Sequence, residues 1–312
     1  MNAKFLAGLL VMALPAQALQ AADCGMKPAF KQADNKGSSS IAVWQDNARS
    51  ALLFADRMNV NTDGTRRSYS VDDFWGTTKA LNNLCNAMSD GCATLTTEPQ
   101  LRTRRELTQE AKAKGWPADL LTKTKISSSI IPFKNGKPCP EVNGYLVSAT
   151  SLHKAGAFDS CEIDNYVDAL ATSAIVLPKQ GKNAPPTQFD VRGADVGDLV
   201  AVLSGNQQLV RFAVVGDKGP PKELGEISIA LAGKLLGKQS PPANYREIRG
   251  MPPYAGMGWT VGKTYMLVFP KSRKSSDPYL AQDRIDADGA ALLEAWGGVE
   301  RLKACAAVYK AN

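Results

Sequence analysis

The sequence predicts an α+β fold in which six strands form a β-barrel core with helices around it. Six short runs rich in β-branched and aromatic residues follow residue 125, separated by Gly, Pro or polar residues. An apolar helical pattern lies between the last two runs, and six cysteines provide for disulfide bonds. Hydrophobic residues make up 44% of the chain, so we expect a folded, disulfide-bonded protein rather than a disordered one.

Residues 1–22 have the composition of a signal peptide. Lys4 precedes an apolar run over residues 5–14, and small residues suited to cleavage follow between Ala18 and Ala22. The apolar run is shorter than the roughly 20 residues needed to span a bilayer, and no later segment approaches that length. We therefore expect a secreted or periplasmic protein with no membrane span.

Residues 23–125 are predicted to form a mostly helical region packed on the core. Ser70 precedes VDDFWGTTKALNNLCNAM, whose apolar residues recur near helical spacing, and Asp72 and Asp73 suit the first turn of a helix there. A second helix, LRTRRELTQEAKAKGW, is expected to end at Gly115. Upstream of both, IAVWQDNARSALLFADRM suits either a helix or a strand.

Residues 126–312 are predicted to contain the barrel and a closing helix. The six strand candidates are SSIIPF, GYLVSATSL, SAIVLP, DLVAVLS, LVRFAVVG and TYMLVFP. The segment LGEISIALAGKLLG predicts a helix packed on the sheet, and ADGAALLEAWGGVERLKACAAVY predicts the closing helix. Cys305, in the closing helix, is expected to pin the end of the chain to the body.

All six cysteines lie beyond the predicted cleavage site, which favours three disulfide bonds. Cys85 and Cys92 are near enough in sequence to close a small loop, so we expect that bond first, and the other pairings stay open. A zinc site is disfavoured because the chain has no Cys-x-x-Cys and one His, His153. We expect no metal and no organic cofactor.

The net charge of +7 suits association with an anionic surface such as a cell wall. The basic clusters LRTRRE and FPKSRKSS lack the interleaved aromatic residues of proteins that bind single-stranded nucleic acid. Both clusters are interpreted as solvated surface. We therefore expect no nucleic-acid partner, and we expect a monomer.

Asp217 and Glu226 stand on either side of a Gly/Pro-rich turn in RFAVVGDKGPPKELGEISIALAGKLLG. The pattern places Asp217 at the end of an apolar strand and Glu226 in the first turn of the next helix. General acid–base chemistry needs such a pair, with one carboxyl group protonated and the other ionised. The two residues also fit a turn cap and a partner for the helix dipole. Spacing alone leaves both interpretations open.

Three segments together resemble glycoside hydrolase family 75, the chitosanases: YVDALATSAIVLPKQ, GDLVAVLSGNQQLVRFAVVGDKGPPKELGEISIALA and TYMLVFP. In that family a strand ends in Gly-Asp and a Gly-Glu-x-Ser run then opens a helix, so its essential carboxyl groups fall on Asp217 and Glu226. The resemblance implies endo-acting, inverting hydrolysis of β-1,4-linked glucosamine polymer, which is chitosan. The upstream segment LLFADRMNVNTDG departs from the family, because Asn59 and Asn61 stand where members have Asp.

The segment GDKGPPKELGEISIALA is also similar to a signature of rare lipoprotein A and expansin-like proteins, which have six-stranded double-psi β-barrels. This resemblance implies a double-psi-like barrel here, with Glu226 as general acid. Asp217 is then the base, or orients the attacking water. Two alternatives stay open: a peptidoglycan-cleaving glycosidase or lytic transglycosylase, and a non-catalytic barrel protein that binds cell-wall polysaccharide.

Further residues are predicted to bind the polysaccharide substrate. Asp56 and Asp63 would make the cleft locally acidic, as polycationic chitosan requires of a basic protein. Tyr166, Trp259 and Tyr265 lie near the barrel segments and are predicted to stack against sugar rings.

Overall fold

The computed structural model describes residues 24–34, 39–221 and 223–311. The predicted signal peptide, residues 1–22, lies outside the described residues. Within the described ranges, no helix combines the length and the apolar character needed to cross a membrane.

The described chain folds into one large mixed sheet, a small two-stranded sheet and several helices. The strands are β1 (Lys27–Ala33), β2 (Ser40–Asp46), β3 (Ala51–Asn61), β4 (Phe133–Lys134), β5 (Lys137–Pro138), β6 (Ala174–Pro178), β7 (Leu199–Ser204), β8 (Val210–Gly219), β9 (Glu226–Ser228) and β10 (Val261–Phe269). The helices are α1 (Glu98–Ala113), α2 (Ala118–Thr124), α3 (Gln188–Val191), α4 (Ile229–Leu236), α5 (Tyr245–Arg249), α6 (Gln282–Trp296) and α7 (Gly298–Ala311), with 3-10 turns at Leu84–Ala87 and Ile163–Asn165.

Strand β3 closes the large sheet into a ring. The eight strands follow the order β1-β2-β3-β10-β7-β8-β6-β9, and β9 also pairs with β3. The first residues of β3 pair with β2, whereas residues 59–61 pair in parallel with β9. Six strands therefore form a ring, but not a regular barrel, because the three residues of β9 meet β6 through the single pair Ile175 and Ile227. The α+β prediction is confirmed, and the double-psi topology stays a prediction.

Four of the six predicted strands are present in the ring, as β6, β7, β8 and β10. The other two predicted strands are wrong as ring members. Only Phe133 of SSIIPF lies in a strand, the short β4, and residues 144–152 contain none. The backbone N–H of Leu146 donates to the Tyr69 carbonyl at 2.9 Å, in a neighbouring loop, and the segment meets the sheet at its last residue, where the Leu152 N–H donates to the Gly216 carbonyl of β8. The two remaining strands of the ring are β3 and β9.

The N-terminal region is less helical than predicted, since it supplies β1, β2 and β3. Residues 71–83 form turns rather than the expected helix. The cause is Asp73, whose carboxylate accepts hydrogen bonds from the backbone N–H groups of residues 77–80 and so competes with helical bonding. The second predicted helix is confirmed as α1.

Alternating side chains of the ring strands build two apolar clusters, one on each face of the sheet. On one face Phe54, Val202 and Met266 belong to the same cluster as Ile229 and Leu231 of α4. The cluster on the other face contains Leu53, Leu203 and Leu267 together with residues of α6 and α7. Because each fully buried side chain of this size contributes about 1.5–3 kcal/mol, α4 is held firmly against the ring. β9, which leads directly into α4, is held with it.

Three disulfide bonds are present: Cys24–Cys305, Cys85–Cys92 and Cys139–Cys161. The predicted Cys85–Cys92 bond is confirmed, and Cys305 joins the closing segment to Cys24, as expected of a residue that pins the end of the chain. The closing segment is two helices instead of one, because α6 ends at Gly297, whose φ of 132° suits glycine alone. Disulfide bonds of this number are typical of proteins that fold outside the reducing cytosol.

Candidate functional site

A cavity of about 670 Å³ opens where β3 and β8 end and β9 begins, and α5 lies along its side. Three carboxyl groups line it, those of Asp63, Asp217 and Glu226. Its volume lies within the range of ligand-binding clefts, roughly 300–1,000 Å³. The cavity therefore gathers the two predicted catalytic residues and one of the two predicted acidic substrate-binding residues.

The strand pairing explains why the three carboxyl groups meet. Asn59 of β3 is opposite Glu226 at the start of β9, and Asp63 follows β3 by two residues. Asp217 lies near the end of β8, opposite Val176 of β6. The pairing of β3 with β9, of β9 with β6 and of β6 with β8 thus brings the three residues together.

Glu226 was predicted in the first turn of a helix, and the structure corrects this position. Glu226 is the first residue of β9, and Ser228 is the N-cap of α4, with its side chain accepting a hydrogen bond from the Leu231 N–H at 3.2 Å. The helix therefore begins beyond Glu226, because the serine cap and the parallel pairing with β3 fix the three residues as a strand.

The Glu226 carboxyl group has a sparse polar environment. The side-chain amide of Asn61 donates to its Oε2 at 3.1 Å. Burial raises the pKa of Glu226, the Asn61 hydrogen bond opposes the rise, and the negative charges of Asp217 and Glu223 add to it. A raised pKa is what a general acid requires, because the group must carry its proton near neutral pH.

Asp217 is hydrogen-bonded more fully. Its Oδ1 accepts from the Ser151 hydroxyl at 2.5 Å, the Ser151 N–H at 2.9 Å and the Lys218 N–H at 2.8 Å. Burial raises the pKa of Asp217, whereas these three donors and the positive charge of Lys179 lower it. Donors of this kind favour the ionised form, so Asp217 is better suited than Glu226 to act as a base.

Asp63 is the third carboxyl group of the cavity. Its Oδ1 accepts hydrogen bonds from the Tyr69 hydroxyl at 2.9 Å and the Ser148 hydroxyl at 3.0 Å. Burial, followed by the charge of Asp217, raises the pKa of Asp63 to about 7. Its protonation therefore changes across neutral pH, beside the two residues that are predicted to act as acid and base.

The arrangement suits proton transfer between carboxyl groups and a bound substrate. Within residues 24–34, 39–221 and 223–311, no three His, Cys, Asp or Glu side chains are arranged to hold a metal ion. The chemistry that these residues themselves offer is acid–base chemistry by Glu226 and Asp217, with Asp63 as a third titrating group.

Asp56, predicted to make the cleft acidic, does not line the cavity. It lies near Tyr309 of α7. Burial raises the pKa of Tyr309 to about 12, and the charge of Asp56 adds to the rise. Although Asp56 shares β3 with the cavity residues 59–61, it comes earlier in the strand, where β3 packs beside the C-terminal helices.

The three predicted sugar platforms are core residues in the structure. Tyr265 is 1% exposed, Trp259 2% and Tyr166 6%. Trp259 donates its indole N–H to Glu247, and the Tyr166 hydroxyl donates to the Ser160 carbonyl. Because a buried ring presents no face to a sugar, the structure corrects this prediction. Proximity to barrel strands in sequence is what suggested these residues, and it equally describes core positions.

The sequence interpretation missed the groups that hold the carboxylates. These are Tyr69 and Ser148 at Asp63, Ser151 at Asp217 and Asn61 at Glu226. Asn61 could have been identified from the sequence, because it stands in a segment where oxygen-bearing side chains alternate before Asp63. Ser148 and Ser151 could hardly have been identified, because GYLVSATSL resembles an ordinary strand.

Compared with known proteins, the chain matches no protein-family model and no curated protein. The function of the cavity is therefore inferred from its own residues.

Proposed function

We propose that the protein is an exported glycoside hydrolase that cleaves a β-1,4-linked polymer of amino sugars. The observation that carries the proposal is that Glu226 and Asp217 line one cavity of about 670 Å³ and are hydrogen-bonded to different extents. Two carboxyl groups of unequal protonation are the minimum that glycoside hydrolysis needs. Chitosan is the polymer that the resemblance to family 75 implies.

In the proposed reaction Glu226 is the general acid. It donates its proton to the glycosidic oxygen as the bond to the anomeric carbon breaks, and the leaving sugar departs with a free hydroxyl group. The sparse hydrogen bonding of Glu226, a single donor from Asn61, favours the protonated form that this step needs.

Asp217 is the general base. Its carboxylate accepts a proton from a water molecule, whose oxygen attacks the anomeric carbon from the opposite side and inverts its configuration. The donors from Ser151 and Lys218 keep Asp217 ionised and fix the direction of its carboxylate. The proton that Asp217 gains returns to solvent, and Glu226 is protonated again before the next cycle.

The test is product release from chitosan, chitin and purified peptidoglycan by the wild-type protein and by Glu226→Gln and Asp217→Asn. Each substitution removes one proton-transfer group while keeping its shape, so kcat should fall by about 10²–10⁴-fold. Glu162→Gln, an exposed carboxyl outside the cavity lining, is the matched control and should keep wild-type activity.

Circular dichroism and thermal unfolding show whether the variants fold. Wild-type turnover in folded Glu226→Gln and Asp217→Asn would overturn the assignment of these residues. Binding of a polymer without release from any of the three would favour the non-catalytic alternative. Release from peptidoglycan alone would change the substrate and keep the reaction class.

A further inference from the structure

Two positively charged side chains line the cavity, and the charge of one of them, Lys179, also acts on Asp217. Lys179 and Arg249 are both exposed, and neither side chain forms an ion pair or a hydrogen bond within residues 24–34, 39–221 and 223–311. Lys218 also lines the cavity, but its ammonium group is held by Asp190 at 2.6 Å and Asp195 at 3.1 Å. Lys179 and Arg249 are therefore the cations that a ligand in the cavity meets.

The backbone of each cation is fixed by its element. Lys179 directly follows β6, and its N–H donates to the Gly219 carbonyl at 3.3 Å, so it stays beside the end of β8. Arg249 is the last residue of α5, which ends at Gly250 in the left-handed conformation. Two different elements thus supply positive charge to one cavity, while the side chains keep their freedom to reach a ligand.

This charge distribution does not suit a polycation. The acidic groups of the cavity are Asp63, Asp217 and Glu226. In the proposed reaction Glu226 carries a proton, and Asp63, whose pKa is raised to about 7, is only partly ionised near neutral pH, so Asp217 is the carboxylate that keeps its charge beside the two cations. Chitosan would bring further positive charges next to Lys179 and Arg249, and the repulsion would weaken its binding. A guanidinium and an ammonium group instead complement carboxylates.

We propose that Lys179 and Arg249 bind a carboxylate carried by a sugar unit, so that the polymer cleaved is a carboxylate-bearing β-linked glycan rather than polycationic chitosan. The inference rests on the proposed glycoside hydrolase function and narrows its substrate class. Two sources supply this chemistry. One is the lactyl carboxylate on alternate sugars of peptidoglycan strands from which the stem peptides have been removed, and the other is the C6 carboxylate of a uronic acid.

Binding is measured first, by isothermal titration calorimetry with the Glu226→Gln protein, so that affinity is separated from cleavage. The ligands are soluble peptidoglycan glycan strands freed of their stem peptides, the same strands after chemical reduction of their carboxyl groups to alcohols, hyaluronan oligosaccharides as the uronic acid probe, and chitosan oligosaccharides. We expect the native peptidoglycan strands or hyaluronan to bind at least tenfold more tightly than reduced strands or chitosan. Raising the salt concentration should reduce this difference in affinity, because salt screens the attraction between charges.

The variants Lys179→Gln and Arg249→Gln, alone and together, locate the effect in the Glu226→Gln background. The double substitution should weaken binding of the carboxylate-bearing glycan at least tenfold and leave binding of reduced strands within twofold. Lys182→Gln is the matched control, because Lys182 is an exposed lysine near Lys179 that does not line the cavity. It should leave both affinities unchanged.

Equal affinity for native and reduced strands, tighter binding of chitosan, or equal losses for both ligands in the double variant would each overturn the inference. Turnover by proteins with an intact Glu226 is measured separately on the same polymers. Carboxylate-dependent binding without cleavage by the wild-type protein would uphold the cation site and refute the hydrolase proposal. Cleavage that ignores the carboxylate would refute the cation site alone.

Discussion

Hydrogen bonding to individual residues determines what each carboxyl group of the cavity can do. Glu226 accepts from one described side chain, whereas Asp217 accepts from Ser151 twice and from the backbone of Lys218. Both groups are raised in pKa by burial, so the donors decide which of them more readily stays ionised. The chemical difference between two similar carboxyl groups thus originates in their neighbours.

Ser151→Ala should move the acidic limb of the kcat/KM profile to higher pH. The serine hydroxyl lowers the pKa of Asp217, so its loss raises that pKa, and the base is then protonated over a wider range. A hydrogen bond to a charged group contributes about 1.5 kcal/mol or more, which corresponds to a shift of about one pH unit. Initial rates on the cleaved polymer between pH 3 and pH 9 measure the shift.

Ser129→Ala is the matched control for this pH profile. Ser129 also lines the cavity, but its hydroxyl pairs with Ser127 instead of a carboxylate. An acidic limb that moves equally in both variants, or stays in place in Ser151→Ala, would show that Asp217 is not the group whose ionisation limits the rate.

Asp63→Asn should stabilise the protein relative to the wild type by more at neutral pH than at acid pH. The pKa of Asp63 rises from 3.8 to about 7 on folding, so the folded state binds the proton more tightly. The wild-type protein therefore loses stability as the pH rises from about 4 to about 7, and an amide does not. The advantage of Asp63→Asn in unfolding free energy should grow by on the order of 3 kcal/mol between pH 4 and pH 8.

Urea unfolding at a series of pH values measures this difference. The control is Asp277→Asn, at a surface position where the Asp277 side chain is 73% exposed. Its unfolding free energy should change with pH as that of the wild type does. If the unfolding free energy of Asp63→Asn also did so, Asp63 would not be the buried titrating group of the cavity.

The sequence predicted the carboxyl groups of the site better than their surroundings. Asp217 follows the pattern of a strand end, and Glu226 stands in a short run before a serine cap. The donor Ser151 is distant from Asp217 in sequence, and its role depends on a segment that turned out to be a loop. The buried rings of Trp259 and Tyr265 failed as predictions because period and composition do not distinguish core from cleft.

Among the elements, β9 and α4 together position Glu226, the proposed general acid. The Ser228 hydroxyl oxygen accepts the N–H of Leu231 in the first turn of α4 and the N–H of Ala174 at the start of β6. One side chain therefore ends β9, begins α4 and joins both to the ring, two residues after Glu226.

Ser228→Ala should lower the free energy of unfolding by about 2–3 kcal/mol, because it leaves two buried N–H groups without their acceptor. Thr97→Ala removes the N-cap of α1 at an exposed position, and its cost should be smaller, about 0.5–1 kcal/mol. Urea unfolding of both variants gives the comparison. Equal costs would mean that the contact with β6 contributes nothing.

Strands with local signals were predictable, and strands defined by distant partners were not. β6, β7, β8 and β10 are short apolar runs between turns, and each matched its pattern. β9 has three residues, and its strand character comes from pairing with β3, 167 positions away in the pair Asn59 and Glu226. The helix predicted after Ser70 is a series of turns instead, because the Asp73 carboxylate accepts hydrogen bonds from the backbone of its own loop.

For the molecule as a whole, the disulfide between Cys24 and Cys305 encloses nearly all of the described chain, with a sequence separation of 281. Cys85 and Cys92 are separated by 7. The ends are also held without covalent bonds, since Arg301 pairs with Asp46 at 2.8 Å. The Cys24–Cys305 disulfide bond and the Arg301–Asp46 ion pair therefore both hold the ends of the described chain.

Replacing Cys24 and Cys305 together by Ser should cost more stability than replacing Cys85 and Cys92. Loop-closure entropy gives about 5 kcal/mol for the long loop and about 2–3 kcal/mol for the short one. Unfolding in urea under non-reducing conditions measures both double variants against the wild type. Equal losses would contradict the loop-closure explanation of the difference.

The meeting of the ends also determines how the protein can be attached to a support. The Cα atoms of Cys24 and Cys305 are 4.6 Å apart, and Arg301 ties them to Asp46, which pairs with the first residue of β3. The cavity lies at the other end of β3, about 33 Å along the strand. A linker joined beside Cys24 or Cys305 would therefore hold the protein at the end opposite the cavity mouth, and the cavity of the immobilised protein would stay open to large ligands.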